Sequence, residues 1–189
     1  MVQSTAEMLA NHQDYECSDL PMIFRRSQKL AKKLKSPVPK SVPADPNPFA
    51  DWSGHLFTAD RTQYLILTNT PSLYSTVIYG KGISNDSQFL DRALSSIREF
   101  MVADGQEFIF RKLIAPTAGT VRFASALNRS VIGSMNDLVK AAQIWLSDGE
   151  LSPFGAGIKL NEMPMSNLQY RNPRDAFKAL GANHLNEGH

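Results

Sequence analysis

The 189-residue sequence predicts an α+β domain, with a mostly antiparallel sheet of about four or five strands covered by about three main helices. Three observations predict it. Between residues 55 and 79, three strand-like runs follow one another with only short turns between them, which suits an antiparallel meander. Two longer stretches, 89–101 and 135–146, carry apolar residues at helical spacing. Hydrophobic residues make up 42% of the chain and charged residues 20%, so there is material for a core and no case for wholesale disorder.

The elements follow in order. Residues 1–21 read as a polar, poorly ordered leader. Met22-Ile23-Phe24-Arg25-Arg26 reads as a short strand, and Ser27 as the cap of the helix after it, since its hydroxyl can accept from first-turn N–H groups. Leu30, Ala31 and Leu34 share one face of that helix and lysines take the other. It stops near Lys35, because Pro37 disfavours helical geometry in Ser36. Residues 36–48 hold five prolines and form an extended connector. Strands are expected at 55–58, 63–68 and 75–79. The second has apolar side chains on both faces, Tyr64 and Ile66 against Leu65 and Leu67, which marks a central strand covered on both sides. A helix begins after the caps Ser84, Asn85 and Asp86 and stops at Ala103-Asp104-Gly105. A shorter helix spans 106–114, and residues 120–124 alternate like a strand. Gly133-Ser134-Met135-Asn136-Asp137 is expected to open the clearest helix, with Ser134 and Asp137 as a capping-box-like pair and Asp148-Gly149 as its stop. Residues 150–172 read as irregular, with a short strand at 157–160. A last helix runs from Pro173 to Leu180, capped by Gly181, and 181–189 form a frayed tail. The expected domain is thus 22–180.

Charge is unevenly spread. Net charge is +2, yet Arg25, Arg26, Lys29, Lys32, Lys33, Lys35 and Lys40 form a block with no acid. Outside it lie 13 basic and 18 acidic residues, a net of −5. Such a block either solvates a helix face or steers the chain toward a polyanion. No run approaches the ~18–20 apolar residues of a membrane span, so no membrane partner is expected. Residues 1–20 carry four acids and no Lys or Arg, the reverse of a signal peptide, and Cys17 is the one cysteine; a cytoplasmic protein is expected.

Common catalytic signatures are missing: no phosphate loop, no dinucleotide fingerprint, no nucleophile elbow and no zinc spacing. No cofactor or metal is expected. His12, His55, His184 and His189 are scattered, and His55 reads as structural or surface. The densest polar stretch is Asn128 to Asp137, which packs Asn128, Arg129, Ser130, Ser134, Asn136 and Asp137 into ten residues. A helix start there offers unpaired N–H groups and positive potential to an anion, with Gly133 allowing close approach. It equally offers plain capping, and Asp137 would repel an anion. A second cluster near the C-terminus contains Asn161, Glu162, Asn167, Tyr170 and Arg171. Glu162 and Arg171 either complete a site or pair with each other.

Three stretches resemble an uncharacterised bacterial domain family: Met22 through Leu34, similar to its Met-x-x-Arg-Cys-Thr-Gln-Lys-Leu opening with a lysine-rich helix; Asp51-Trp52 through Thr68-Asn69, similar to its tryptophan-led strand pair; and Asn128-Arg129-Ser130-Val131-Ile132-Gly133-Ser134-Met135-Asn136-Asp137, similar to its most specific motif. The segment from Leu160 through Pro173 is similar to its ending. Arg26 stands where that family usually has cysteine, so no thiol role carries over. As the likeness begins at Met22, residues 1–21 read as an added leader or the product of an upstream start codon. The resemblance implies a fold boundary and no activity.

Three functions remain open from the residues. The first is a non-catalytic module that engages a phosphate-bearing partner, nucleic acid or another polyanion, through residues 25–40, with Arg129 nearby. The second is a small enzyme whose polar site joins Arg129, Ser130, Asn136 and Asp137 to Glu162 or Arg171. The third is a protein–protein module that uses an exposed sheet edge or the proline-rich connector. Oligomeric state is not read from the sequence.

Overall fold

The computed structural model describes residues 21–37 and 40–186, with side chains through 181. The expected leader with His12 and Cys17, residues 38–39 of the connector, and the last three residues with His189 lie outside the described residues, as does the His184 side chain.

Five strands build one sheet: β1 (Met22–Arg26), β2 (Asp51–Ala59), β3 (Thr62–Asn69), β4 (Ser75–Tyr79) and β5 (Val121–Ala124), in the order β4-β3-β2-β1-β5. The α+β class holds. β2, β3 and β4 form the expected antiparallel meander, whose first turn puts Asp60 and Arg61 at φ 41° and 61° in a two-residue loop. β1, however, pairs in parallel with both β2 and β5, so the sheet is mixed. The chain between β1 and β2 contains a helix, α1 (Gln28–Lys33), and the connector, which is long enough for a crossover. Ser27 caps α1 as expected, its Oγ accepting from Leu30 N.

Both faces of the sheet are covered, as the two-sided apolar pattern of β3 requires. Phe24, Trp52, Leu65 and Leu67 pack against Leu30 and Leu34 from the α1 segment, against Phe89, Ile97 and Phe100 of α2 (Asp86–Ala103), and against Phe177 of α6 (Pro173–Asn186). On the opposite face Phe57, Tyr64, Ile66 and Val77 pack against Met135, Leu138 and Ala142 of α4 (Arg129–Ser147), and against Ala156 and Leu160 of α5 (Pro153–Leu160). Each buried Val, Leu, Ile, Phe or Met among them contributes about 1.5–3 kcal/mol. Between α2 and β5 lies α3 (Glu107–Ile109), which widens into a π turn at Phe110–Ile114 and tightens into a 3-10 turn at Ala115–Gly119.

Three expectations need correction. α4 starts at Arg129, with Asn128 as its cap, so Ser134 lies inside the helix and forms no capping box. The side chain of Asn128 satisfies Val131 N at 2.9 Å, and nothing favours waiting for Ser134. Residues 157–160 are helical, because Ser152 caps and Pro153 opens α5, and Gly157 lets it settle on Phe100 and the Ser75 carbonyl. Finally, α6 runs on to Asn186 instead of stopping at Gly181, which takes no left-handed φ and lies against Ile109 and Phe49. No helix among the described residues is long and apolar enough to cross a membrane.

Candidate functional site: a lysine-lined groove

The basic block divides at the end of β1. Arg25 is buried and grips Asp51 with two bonds, Nε to Oδ1 at 2.8 Å and Nη2 to Oδ2 at 2.7 Å. Its remaining donors reach the carbonyls of Val42, Pro43 and Ser125, which ties the connector and the β5–α4 loop to β1. Arg26 is also buried; it is ion-paired with Asp86, donates to Ser36 Oγ and lies 3.7 Å over the Phe123 ring. Both guanidiniums are therefore ion-paired within the protein, with Arg26 Nε left buried and without a hydrogen-bond partner among the described residues. The lysines of α1 are not: Lys29 and Lys32 are exposed and have no partner among the described residues, and Lys33 donates to Gln63 Oε1 at 2.7 Å.

The Asn128–Asp137 stretch divides as well. Asn128 is spent on capping. Ser130 donates to Asn167 Oδ1 at 2.8 Å, and Asn167 Nδ2 donates to Ser134 Oγ at 2.7 Å, so both serines clamp α4 to the 3-10 turn at Ser166–Leu168. Arg129 is exposed, and exposed Asp137 faces Lys140 at 3.5 Å. Among the described residues Glu162 pairs with Arg174 at 3.1 Å and not with Arg171. Of the six, Asn136 faces a concave surface.

That surface is an open groove of about 890 Å³. Lys29, Lys32 and Lys33 form one wall, β2 residues 55–58 the floor, and Asn136, Lys140 and Gln143 of α4 the other wall. A second depression of about 540 Å³ adjoins it at the carboxyl ends of β1 and β5, and the two share Lys29, His55 and Asn136. The fold produces this arrangement. β1 and β5 are adjacent and parallel, yet the helices that follow them, α1 and α4, go to opposite faces, and a crevice opens where the chain divides. Among the described residues no Asp or Glu lines either depression. Burial, and then the nearby Lys29, push the His55 pKa down, which keeps its imidazole neutral at neutral pH. The groove is therefore cationic on its rim, neutral on its floor, and lined by amide donors on its far wall.

The sequence points to Lys29, Lys32, Lys33 and Asn136 as candidate binding residues, and not to His55, Lys140 or Gln143. The signal was present in part: 136, 140 and 143 follow one another at i, i+4 and i+7, a polar stripe on α4 beside its apolar one.

A family model described as a domain of unknown function, DUF6933, matches residues 23–176, in keeping with the resemblance to an uncharacterised family over the same stretch. No curated protein matches the chain.

Proposed function

The chain belongs to the DUF6933 family, a domain of unknown function, and from its own residues we propose that it is a non-catalytic binding module whose lysine-lined groove engages a phosphate-bearing partner. One observation carries the reading: three lysines of α1 and Lys140 of α4 face one groove that no Asp or Glu lines among the described residues. Lys29 and Lys32, which have no partner among the described residues, raise the local concentration of an anion and speed its capture, while Lys140 is shared with its neighbour Asp137. Neutral donors beside them, Asn136 and Gln143, add hydrogen bonds to phosphate oxygens without a desolvated charge. Arg25 and Arg26 support the groove from beneath by fixing the end of β1. Nucleic acid is one such partner, but the groove offers no open ring for a base to stack on, since Phe57 is buried against Tyr64 at a centroid distance of 5.6 Å. A bacterial, cytoplasmic setting goes with this reading and is supported by the single cysteine of the sequence and by the family resemblance.

Calorimetric titration with sodium tripolyphosphate and with a dT oligonucleotide, at low and moderate salt, tests it. Tripolyphosphate is expected to bind at low salt and to weaken as salt screens the lysines, and a Lys29→Ala, Lys32→Ala variant is expected to lose about tenfold or more in affinity. Equal affinity in wild type and variant, or no heat from either probe at low salt, would contradict the reading.

A further inference from the structure

β1 stops at Arg26, opposite Gly54, while β2 runs on to Ala59. Beyond Gly54, β2 is paired, among the described residues, only with β3, and its other edge opens into the groove. The register fixes which main-chain groups lie on that edge. Ser27 N donates to Gly54 O, so the even-numbered residues of β2 turn their N–H and C=O toward β1 and away from β3. At Leu56 the partner runs out. The Ser27 carbonyl, next in line to accept, is taken by Ala31 N as α1 begins. The N–H and C=O of Leu56 and the N–H of Thr58 thus face the groove unpaired among the described residues, and the Thr58 carbonyl is held by Gln143 Nε2 at 2.9 Å. An open strand edge with donors and acceptors at alternate residues is a template for another strand.

We propose that the groove takes an extended acidic peptide, with phosphate or carboxylate side chains, which adds as a short strand to β2 in line with β1. The proposal rests on the anion-binding reading and names its partner. About four residues, ~13 Å at ~3.3 Å per residue, fit along positions 55–58. Alternate side chains of such a strand point to opposite faces of the sheet, one set toward Lys29, Lys32 and Lys33 of α1 and the other toward Asn136 and Lys140 of α4. Charge selects the occupant: a second copy of this chain would bring its own lysines against these, whereas an acidic strand meets them with opposite sign. A nucleic acid has no amide–carbonyl alternation to match the free edge.

The test uses the full chain and a fluorescein-labelled octapeptide of alternating phosphoserine and valine, measured by anisotropy beside tripolyphosphate and a dT oligonucleotide. Two further peptides carry N-methyl groups, each on one alternate set of amides. The parent peptide is expected to bind, one N-methylated set to lose about tenfold or more, and the other set to bind like the parent, because only one set faces β2. Amide hydrogen exchange at Leu56, read by NMR, is expected to slow about tenfold or more in the complex and to stay unchanged at already bonded Phe57. Equal affinity of both methylated sets, no protection at Leu56, or oligonucleotide binding with a silent peptide would overturn the proposal and leave the anion-binding reading standing. Silence from tripolyphosphate as well would remove both.

Discussion

Arg26 and Lys29 are three residues apart, carry the same charge, and serve opposite ends. A buried guanidinium is tolerated only when its charge is met, and Arg25 meets Asp51 while Arg26 meets Asp86. Removing one partner leaves the other charged and dry. Asp51→Ala is therefore expected to cost about 3–5 kcal/mol, read as a lower urea midpoint, whereas Lys32→Ala on the exposed rim should change stability by no more than ~0.5 kcal/mol. Nothing in a charge count separates these arginines from the lysines. The separation comes from the strand, which carries Arg25 and Arg26 into the sheet before the chain turns out at Ser27. His55 was hidden for a similar reason, as a lone histidine in a strand has no chemistry until two helices enclose it. Its folded pKa is depressed, so the unfolded chain binds more protons as the medium becomes acidic. Its contribution to stability is complete above the unfolded value of about 6.5 and is lost as pH falls toward the folded value. His55→Gln should flatten that part of the melting-temperature profile.

At the level of the elements, cap chemistry was legible and cap choice was not. Ser27, Asn85 and Asp148-Gly149 act where their residue types suggest. For α4 the capping-box-like pair at Ser134 is passed over for Asn128, six residues earlier, because the intervening turns also bury Val131 and engage Ser130 and Ser134 through Asn167. α5 was hard to read, since Gly155 and Gly157 weaken the helix signal that Ser152 and Pro153 give, and its seat on β4 and Phe100 completes it. These glycines give opposite predictions. Gly133 lies inside α4 with nothing within 4 Å of an added Cβ, so Gly133→Ala should stabilise by about 0.5–1 kcal/mol without loss of tripolyphosphate binding. At Gly157 an added Cβ would lie 2.9 Å from the buried Phe100 ring, and Gly157→Ala should destabilise by about 1–3 kcal/mol. Thermal melts of the two variants check both signs.

Across the whole molecule, the layered α+β architecture followed from periodicity, because β3 could not carry apolar groups on both faces without helices on both sides. The parallel pairing of β1 did not follow, since it depends on where a strand docks and local pattern carries no record of that. Yet β1 makes the site. It lies beside β5; α1 and α4 leave the two strands toward opposite faces, and the early end of β1 exposes the β2 edge between them. Two stretches a hundred residues apart in sequence thereby become the walls of one groove. The most direct measurement is a backbone-amide NMR titration of the full chain with tripolyphosphate at low salt. The account predicts shifts that cluster at residues 29–33, 55–58 and 136–143 together. Shifts confined to another surface, or to one wall without the other, would contradict it.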